Sequence, residues 1–125
     1  MDSRWFIRHN PGMIFHITQR TAWETAVARG RYLSDSFHKE GFIHCSTLEQ
    51  VLAPANRLYQ GEVGLVLLCI DPEEVDAPIV YEDIYHHGDK FPHIYGPLNI
   101  NAVQRTVDFP PNMDGTFSLP PEIHL

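Results

Sequence analysis

A continuous apolar run at residues 65–70 restricts the fold of this chain more than any other stretch. Its sequence, LVLLCI, lacks the alternating polar positions of a half-exposed strand, which is typical of a centrally buried strand. Strands are also indicated at 13–18, 41–47, 79–82 and 102–109, where β-branched and aromatic residues lie between turn-forming residues. Small, largely antiparallel sheets are therefore predicted.

Two helices are predicted in the first half of the chain, and the first covers residues 20–29. Thr21 begins a capping-box sequence, and Gly30 follows the last turn, where glycine often ends a helix. The polar residues 31–40 are expected to form an exposed strand or a loop. The proline-rich residues 110–125 are expected to lie along the surface.

The second predicted helix follows a capping-box sequence that begins at Ser46. Apolar residues then recur at helical spacing from Leu48 to Tyr59. Pro54 lies inside this pattern, so a kink or two short helical pieces are expected there. Two helices among a majority of strands indicate the α+β class.

Length and composition indicate one domain. The 125 residues are 43% hydrophobic, which is enough for one core and too few for two. Residues 1–12 lack the apolar run of a signal peptide and end in a Pro-Gly turn, so they are predicted to be an extension to a domain of residues 13–125. No segment is long and apolar enough to span a membrane. A cytoplasmic protein is therefore expected.

Charge and cysteine content restrict the partners. A net charge of −7 argues against general nucleic-acid binding. Residues 1–60 carry seven Lys and Arg against five Asp and Glu, whereas residues 61–125 carry two against eleven. The mildly positive first part is compatible with a small anionic ligand such as a nucleotide diphosphate, but a long polyanion is not favoured. Cys45 and Cys69 lie in predicted strands and are expected to be reduced, buried thiols.

Two of the predicted strands carry a histidine that is followed two residues later by a hydroxyl. Because side chains alternate along a strand, His16 and Thr18 share one face, and His44 and Ser46 share another. If the two strands are neighbours, both histidines point into one pocket. One apolar residue from each strand would form its walls: Ile14 and Phe42.

An ordered set of motifs over residues 13–125 resembles the bacterial family known as domain of unknown function 952. The motifs are MIFHIT, GFIHCST with the amphipathic helix after it, LVLLCIDP, FPHIYGPLN, VDFPP and a final FSLP. The resemblance implies an ADP-ribosyltransferase-like fold, a split β-sandwich of small sheets that holds NAD between them. Within that fold the family is similar to the branch that contains the RNA 2'-phosphotransferases.

The resemblance also implies roles for single residues, beginning with the first histidine strand. The branch has a His-Gly-Thr motif, in which the histidine contacts a ribose hydroxyl of NAD and the backbone holds the nicotinamide amide. His16, Ile17 and Thr18 resemble this motif, with isoleucine in place of glycine. Isoleucine restricts the close backbone approach that glycine allows.

The second motif of the branch, His-Leu-Ser, resembles His44 and Ser46 with a cysteine between them. A third active-site position is implied in the segment from Phe91, in which His93 and Tyr95 would share a face. Catalytic roles are thus expected for His16, His44, His93 and Tyr95. Contacts to NAD are expected for His16, Ile17, Thr18, His44 and Ser46.

Three functions follow from these residues. The leading hypothesis is an ADP-ribosyltransferase-like domain that binds NAD or a related small nucleotide, with transfer of ADP-ribose left open. The alternative is a catalytically silent nucleotide-binding or interaction module, because Ile17 departs from the motif and no Glu-x-Glu pair follows near the third position. The third is a metal-dependent enzyme, since the chain has eight histidines, although no H-x-H or H-E-x-x-H spacing occurs. The acceptor and the oligomeric state stay open.

Overall fold

A three-stranded antiparallel sheet runs through the structure, a computed structural model that describes residues 12–123. Its strands are β1 (Ile14–Gln19), β4 (Leu65–Ile70) and β8 (Val103–Asp108), and β4 lies in the middle. The predicted central position of the apolar run is confirmed. The predicted extension at residues 1–12 lies outside the described residues except for Gly12.

Every residue of β4 is buried because both faces of this sheet are covered. Its odd-numbered residues join one hydrophobic cluster with Phe15 and Phe109, and its even-numbered residues join a second cluster with Trp23 and Ile94. Neither face meets water, so no polar residue alternates along the strand. The first cluster lies on one side of the sheet and the second on the other.

A second three-stranded sheet contains β3 (Ile43–His44), β5 (Ile79–Glu82) and β6 (Phe91–Ile94), in the order β3-β6-β5. A two-stranded ribbon pairs β2 (Arg31–Tyr32) with β7 (Leu98–Asn99). All of these pairs are antiparallel. With the helices described next, these small sheets confirm the predicted α+β class.

The first predicted helix is confirmed at its predicted bounds as α1 (Arg20–Arg29). Gly30 ends it with a φ of 88°, the left-handed conformation that glycine adopts without strain. The predicted cap at Thr21 is wrong, because β1 leads directly into the helix and Gln19 is the N-cap. The Arg20 amide donates to the backbone carbonyl of Gly64 at 2.9 Å, so the first turn is tied to a neighbouring loop.

A second helix, α2 (Asp35–Glu40), occupies the stretch that was expected to be an exposed strand or a loop. The expectation of a strand holds for β2, although Tyr32 is buried, and it is wrong for residues 35–40. The Ser34 hydroxyl caps the helix by accepting from the amide of Phe37 at 3.2 Å. No residue of α2 is fully buried, so the helix leaves no apolar periodicity in the sequence.

The third helix, α3 (Leu52–Leu58), is shorter than predicted. Pro54 lies in its first turn, where a backbone N–H has no helical partner, so the expected kink is wrong. Ser46 does not cap the helix, because its backbone is paired with that of Phe15 instead. Two 3-10 turns complete the helical elements that the structure describes: Pro72–Glu74 and Ile100–Ala102.

The tail after β8 packs into the core. Phe117 and Ile123 are buried in the first hydrophobic cluster, and the Phe117 ring stacks on Phe109 with ring centroids 4.8 Å apart. Asn56 of α3 holds the segment by accepting from the Phe117 amide at 2.7 Å. The expectation that residues 110–125 lie along the surface is therefore wrong for these two side chains.

No helix in the described part of the chain is long and apolar enough to cross a membrane.

Candidate functional site

A cleft lies where β1 of the central sheet meets β3 of the second sheet. It has two adjoining chambers that share two lining residues, His44 and Tyr59. The first chamber has a volume of about 390 Å³ and contains His16. The second has a volume of about 380 Å³ and contains His93. Both volumes are typical of small-molecule sites.

A single β-bridge places the two histidine strands side by side. The Phe15 amide donates to the Ser46 carbonyl at 2.7 Å, and the Ser46 amide donates back to Phe15 at 2.8 Å. This brings the His16 ring against the backbone carbonyl of His44. The two histidine strands are thus neighbours, which is the condition on which a shared pocket depended, whereas Ile14 packs in the second hydrophobic cluster and does not wall the cleft.

His16 is a buried, neutral imidazole with both nitrogens hydrogen-bonded. Burial lowers its pKa from 6.5 to about 4, and this effect outweighs the bond to the His44 carbonyl, which raises the pKa. Because a carbonyl only accepts, Nδ1 carries the proton and Nε2 is the acceptor. Nε2 lies 2.8 Å from the Tyr32 hydroxyl. The tautomer of His16 is thus set by its two partners.

Tyr32 links His16 to Thr18, the hydroxyl that was predicted to share its face. The Tyr32 oxygen lies 2.9 Å from Thr18 Oγ1. A hydroxyl both donates and accepts, so Tyr32 can donate to His16 and accept from Thr18. Burial raises the pKa of Tyr32 to about 12, which keeps the phenol protonated. The sequence gives no signal for Tyr32, because β2 positions it by pairing with Leu98 of β7.

The remaining predicted NAD contacts are divided between the two chambers. Ile17 lines the first chamber but also packs against the first hydrophobic cluster, on the face opposite to His16. Thr18 lines the first chamber as well. Ser46 is buried and lines the second chamber, away from His16.

His44 stands between the chambers and is held by a carboxylate. Its Nε2 lies 2.9 Å from Glu40 Oε1, and its ring stacks with Tyr85 at a centroid distance of 5.9 Å. Tyr85 also donates to Glu40. These bonds, from Tyr85 first and His44 second, lower the pKa of Glu40, so this carboxylate is ionised. Glu40 and Tyr85 were not predicted, because α2 was not expected and Tyr85 lies in a loop.

His93 and Tyr95, the candidates for the third position, meet at a second carboxylate, Glu82. His93 Nδ1 lies 2.8 Å from Glu82 Oε2, and the Tyr95 hydroxyl donates to the same oxygen. The bonds from Tyr95 and His93 lower the pKa of Glu82. Burial lowers the pKa of His93, against the opposing effect of Glu82. Tyr95 lines neither chamber and is linked to His93 through Glu82.

Two aromatic contacts fix the histidine pair of the second sheet. His44 and His93 are register partners of β3 and β6, and their rings are 5.2 Å apart in an edge-to-face arrangement. The Phe42 ring stacks on His93 with a centroid distance of 4.1 Å and an interplanar angle of 14°. Phe42 thus supports His93, instead of walling the His16 pocket as predicted.

Both cysteines are free and buried, as predicted. Burial raises the pKa of Cys69 to about 12 and also raises that of Cys45. A thiolate is therefore disfavoured at both positions. Although Cys45 lines the second chamber, its protonated thiol is a poor nucleophile.

The histidines do not form a metal centre in the described residues. Within residues 12–123 no group of three or more His, Cys, Asp or Glu side chains is arranged to hold a metal ion. His87 lines the second chamber, and His86 lies beside it in the loop before β6.

Comparison with known proteins assigns the family. Residues 17–106 match a family described as "Protein of unknown function (DUF952)". The chain belongs to the DUF952 family. It is similar to protein CC0527 of Caulobacter crescentus, a structural genomics target whose crystal structure is 34% identical in sequence. The alignment covers 86% of this chain and 94% of that one, with a TM-score of 0.78.

The solution structure of CC0527 is also similar to this DUF952 chain, with 33% identity and a TM-score of 0.69. That alignment covers 86% of this chain and 93% of CC0527. No match was found among curated proteins. The predicted family is therefore confirmed.

Proposed function

We propose that this DUF952 domain binds NAD or a related nucleotide in the cleft, in an ADP-ribosyltransferase-like manner. The observation that carries the proposal is the hydrogen-bonded chain of His16, Tyr32 and Thr18 beside His44. Their donor hydrogens are used within the chain, so the Tyr32 and Thr18 oxygens present acceptor lone pairs in fixed positions to the first chamber. A ribose offers adjacent hydroxyls that both donate and accept, so it matches such a group.

The charges around the first chamber favour a sugar over a phosphate at this end. His16 is neutral, and the chamber is also lined by the carboxyl side chains of Asp35 and Glu62. An anion would be repelled by these carboxylates, whereas ribose hydroxyls can donate to them. The ribose next to the nicotinamide is therefore the part of NAD that we assign to His16 and His44.

The chemistry of an NAD-consuming enzyme agrees with this placement. Breaking the bond between nicotinamide and ribose develops positive charge on the ribose, which a nearby carboxylate stabilises. Glu40 is ionised and bonded to His44 at the boundary of the two chambers. It can stabilise that charge through His44 without leaving its position.

A second candidate is a nucleotide-binding module without turnover. One observation favours it: Glu40 and Glu82 are each already bonded to a histidine and a tyrosine. Both oxygens of Glu40 are engaged, and Glu82 lines neither chamber, so neither carboxylate is placed to activate an acceptor directly. Binding of NAD without release of nicotinamide would support this candidate.

The test is an NAD titration by calorimetry and ligand-observed NMR, with free nicotinamide measured in the same samples. His16→Gln and Tyr32→Phe disturb the first chamber, and His38→Gln is the matched control because His38 is exposed and lines neither chamber. Loss of one buried hydrogen bond should weaken binding about tenfold or more. Binding that the cleft variants weaken and the control does not would support the proposal. No binding at millimolar NAD would refute it.

A further inference from the structure

We infer that His93 is a general base for a neutral, hydroxyl-bearing acceptor that enters the second chamber. This inference rests on the proposed function, because the acceptor would attack the ribose of bound NAD. It assigns to the second chamber a substrate class and a reaction role that the first chamber does not have.

Glu82 sets the tautomer of His93. An ionised carboxylate only accepts hydrogen bonds, so the His93 nitrogen 2.8 Å from it, Nδ1, must carry the proton. In a neutral imidazole Nε2 then carries a lone pair that can accept a proton. Among residues 12–123 no hydrogen bond reaches Nε2, and His93 lines the second chamber. A histidine whose far nitrogen is held by a carboxylate is also the general base of the Ser-His-Asp triad.

The ring of His93 is rigidly placed. Its side chain is only 3% exposed, Phe42 stacks on one face, and the Tyr95 hydroxyl shares the Glu82 oxygen that holds Nδ1. Fixed orientation lowers the entropic cost of proton transfer. His44 contacts the His93 ring edge-to-face, with the ring centroids 5.2 Å apart, and it lines both chambers. An acceptor that lies beside this histidine pair in the second chamber is therefore next to the proposed ribose position.

The local charge selects a neutral acceptor. Glu40 lines the second chamber, and Glu82 lies directly behind His93. Arg57 is the one lysine or arginine among the described residues that line either chamber. Two carboxylates next to the histidine pair outweigh this single, exposed cation, so a phosphate or carboxylate acceptor is disfavoured there. A neutral hydroxyl is weakly nucleophilic and needs a base, which His93 supplies.

The acceptor O–H bond breaks, and its proton passes to His93 Nε2. A new bond forms between the acceptor oxygen and C1' of the ribose. The bond between C1' and the nicotinamide nitrogen breaks, and its electron pair leaves on nicotinamide, which departs neutral. His93 then releases the proton to solvent, with Glu82 stabilising the transient imidazolium.

The first experiment measures transfer to methanol, a small neutral hydroxyl probe, with inorganic phosphate as the anionic comparison. The unaltered protein, His93→Gln and the control His38→Gln are incubated with NAD, and methyl ADP-ribose is quantified by mass spectrometry. We expect transfer to methanol in preference to phosphate, and a loss of about a hundredfold or more in His93→Gln. NAD affinity, measured by calorimetry, should change little in either variant.

The outcomes separate this inference from the proposed function. Failure of the unaltered protein to bind NAD would refute both. Binding without transfer to methanol, transfer mainly to phosphate, or full transfer in His93→Gln would refute the general base and leave nucleotide binding intact. A binding-competent His93→Gln that has lost methanol transfer would support the inference.

A second measurement does not depend on turnover. In the ¹⁵N NMR spectrum of the unaltered protein without NAD, His93 should show a protonated Nδ1 and an unprotonated Nε2 at neutral pH. The Glu82 carboxylate raises the pKa of His93, so Glu82→Gln should lower that pKa. The other polar groups near His93, those of Tyr95, His44 and Glu40, are unchanged in this variant. A protonated Nε2 in the unaltered protein, or an unchanged His93 titration in Glu82→Gln, would refute the assigned role of Glu82.

Discussion

The Tyr32 hydroxyl connects two buried side chains, so its removal should destabilise the fold out of proportion to its size. Tyr32→Phe deletes the group that lies 2.8 Å from His16 Nε2 and 2.9 Å from Thr18 Oγ1. The His16 ring is buried and cannot turn toward water, and its Nδ1 remains bound to the His44 carbonyl. Its Nε2 would therefore be left without a partner.

An unpaired buried polar group costs about 1–3 kcal/mol, and Thr18 adds to this if its hydroxyl also stays unpaired. We expect Tyr32→Phe to lower the free energy of unfolding by about 2 kcal/mol. With a urea m-value of about 2 kcal/mol per molar, the midpoint would fall by about 1 M. Circular dichroism and tryptophan fluorescence should report the same shift if unfolding is two-state.

Tyr59→Phe is the matched control, because Tyr59 lines both chambers and no hydrogen bond of its hydroxyl occurs among residues 12–123. It should change stability by less than about 0.5 kcal/mol. A double-mutant cycle of Tyr32→Phe with Thr18→Val should show a coupling energy, since both variants remove the same bond. Equal losses in Tyr32→Phe and Tyr59→Phe would refute the proposed hydrogen-bonded chain.

Three further predictions concern stability. Burial lowers the pKa of His16 to about 4, so the unfolded chain takes up the proton first as pH falls. About 3 kcal/mol of the free energy of unfolding, which is present above pH 6.5, should therefore be lost by pH 4. Urea titrations should show that the stability of His16→Gln depends less on pH than that of the unaltered protein. Phe117→Ala should cost about 3–5 kcal/mol through the cavity left beside Phe109, and a loss below 1 kcal/mol in thermal unfolding would show that the tail is not part of the core. Gly96→Ala would place a methyl group 2.8 Å from the Ala77 side chain and should cost about 1–3 kcal/mol, which Ala77→Gly in the same chain should partly restore.

The features that the sequence predicted correctly are those with a local cause. The β4 run is apolar because both of its faces are covered, and α1 ends at Gly30 because a left-handed residue terminates it. The histidine and the hydroxyl at strand spacing also formed a local pattern in each of the two strands, but the pairing of these strands did not follow from it.

The features that were missed depend on long-range register or lack a pattern. Tyr32 reaches His16 because β2 pairs with β7, whose residues are more than sixty positions away. The contact between Glu82 and His93 depends on the pairing of β5 with β6 across an eight-residue loop. Helix α2 buries no residue completely, so its amphipathic signal is absent. Single-sequence periodicity contains none of this information.

The helix caps were wrong for a related reason. Both capping boxes were identified by spacing alone, and that spacing does not reveal whether the backbone is needed elsewhere. Ser46 is held in an extended conformation because it pairs with Phe15, and the helix begins only at Leu52. Tertiary pairing therefore overrode a local preference at the residue that joins the two sheets.

That junction has a consequence for the way in which the cleft moves. In the described chain the central sheet and the second sheet exchange backbone hydrogen bonds at Phe15 and Ser46, and their two amides are 2.7 and 2.8 Å from their acceptors. Any motion that separates the two histidine strands must break these bonds first. The exchange rates of these two amides with deuterated solvent therefore report how often the cleft opens. They can be measured without knowing what the cleft binds.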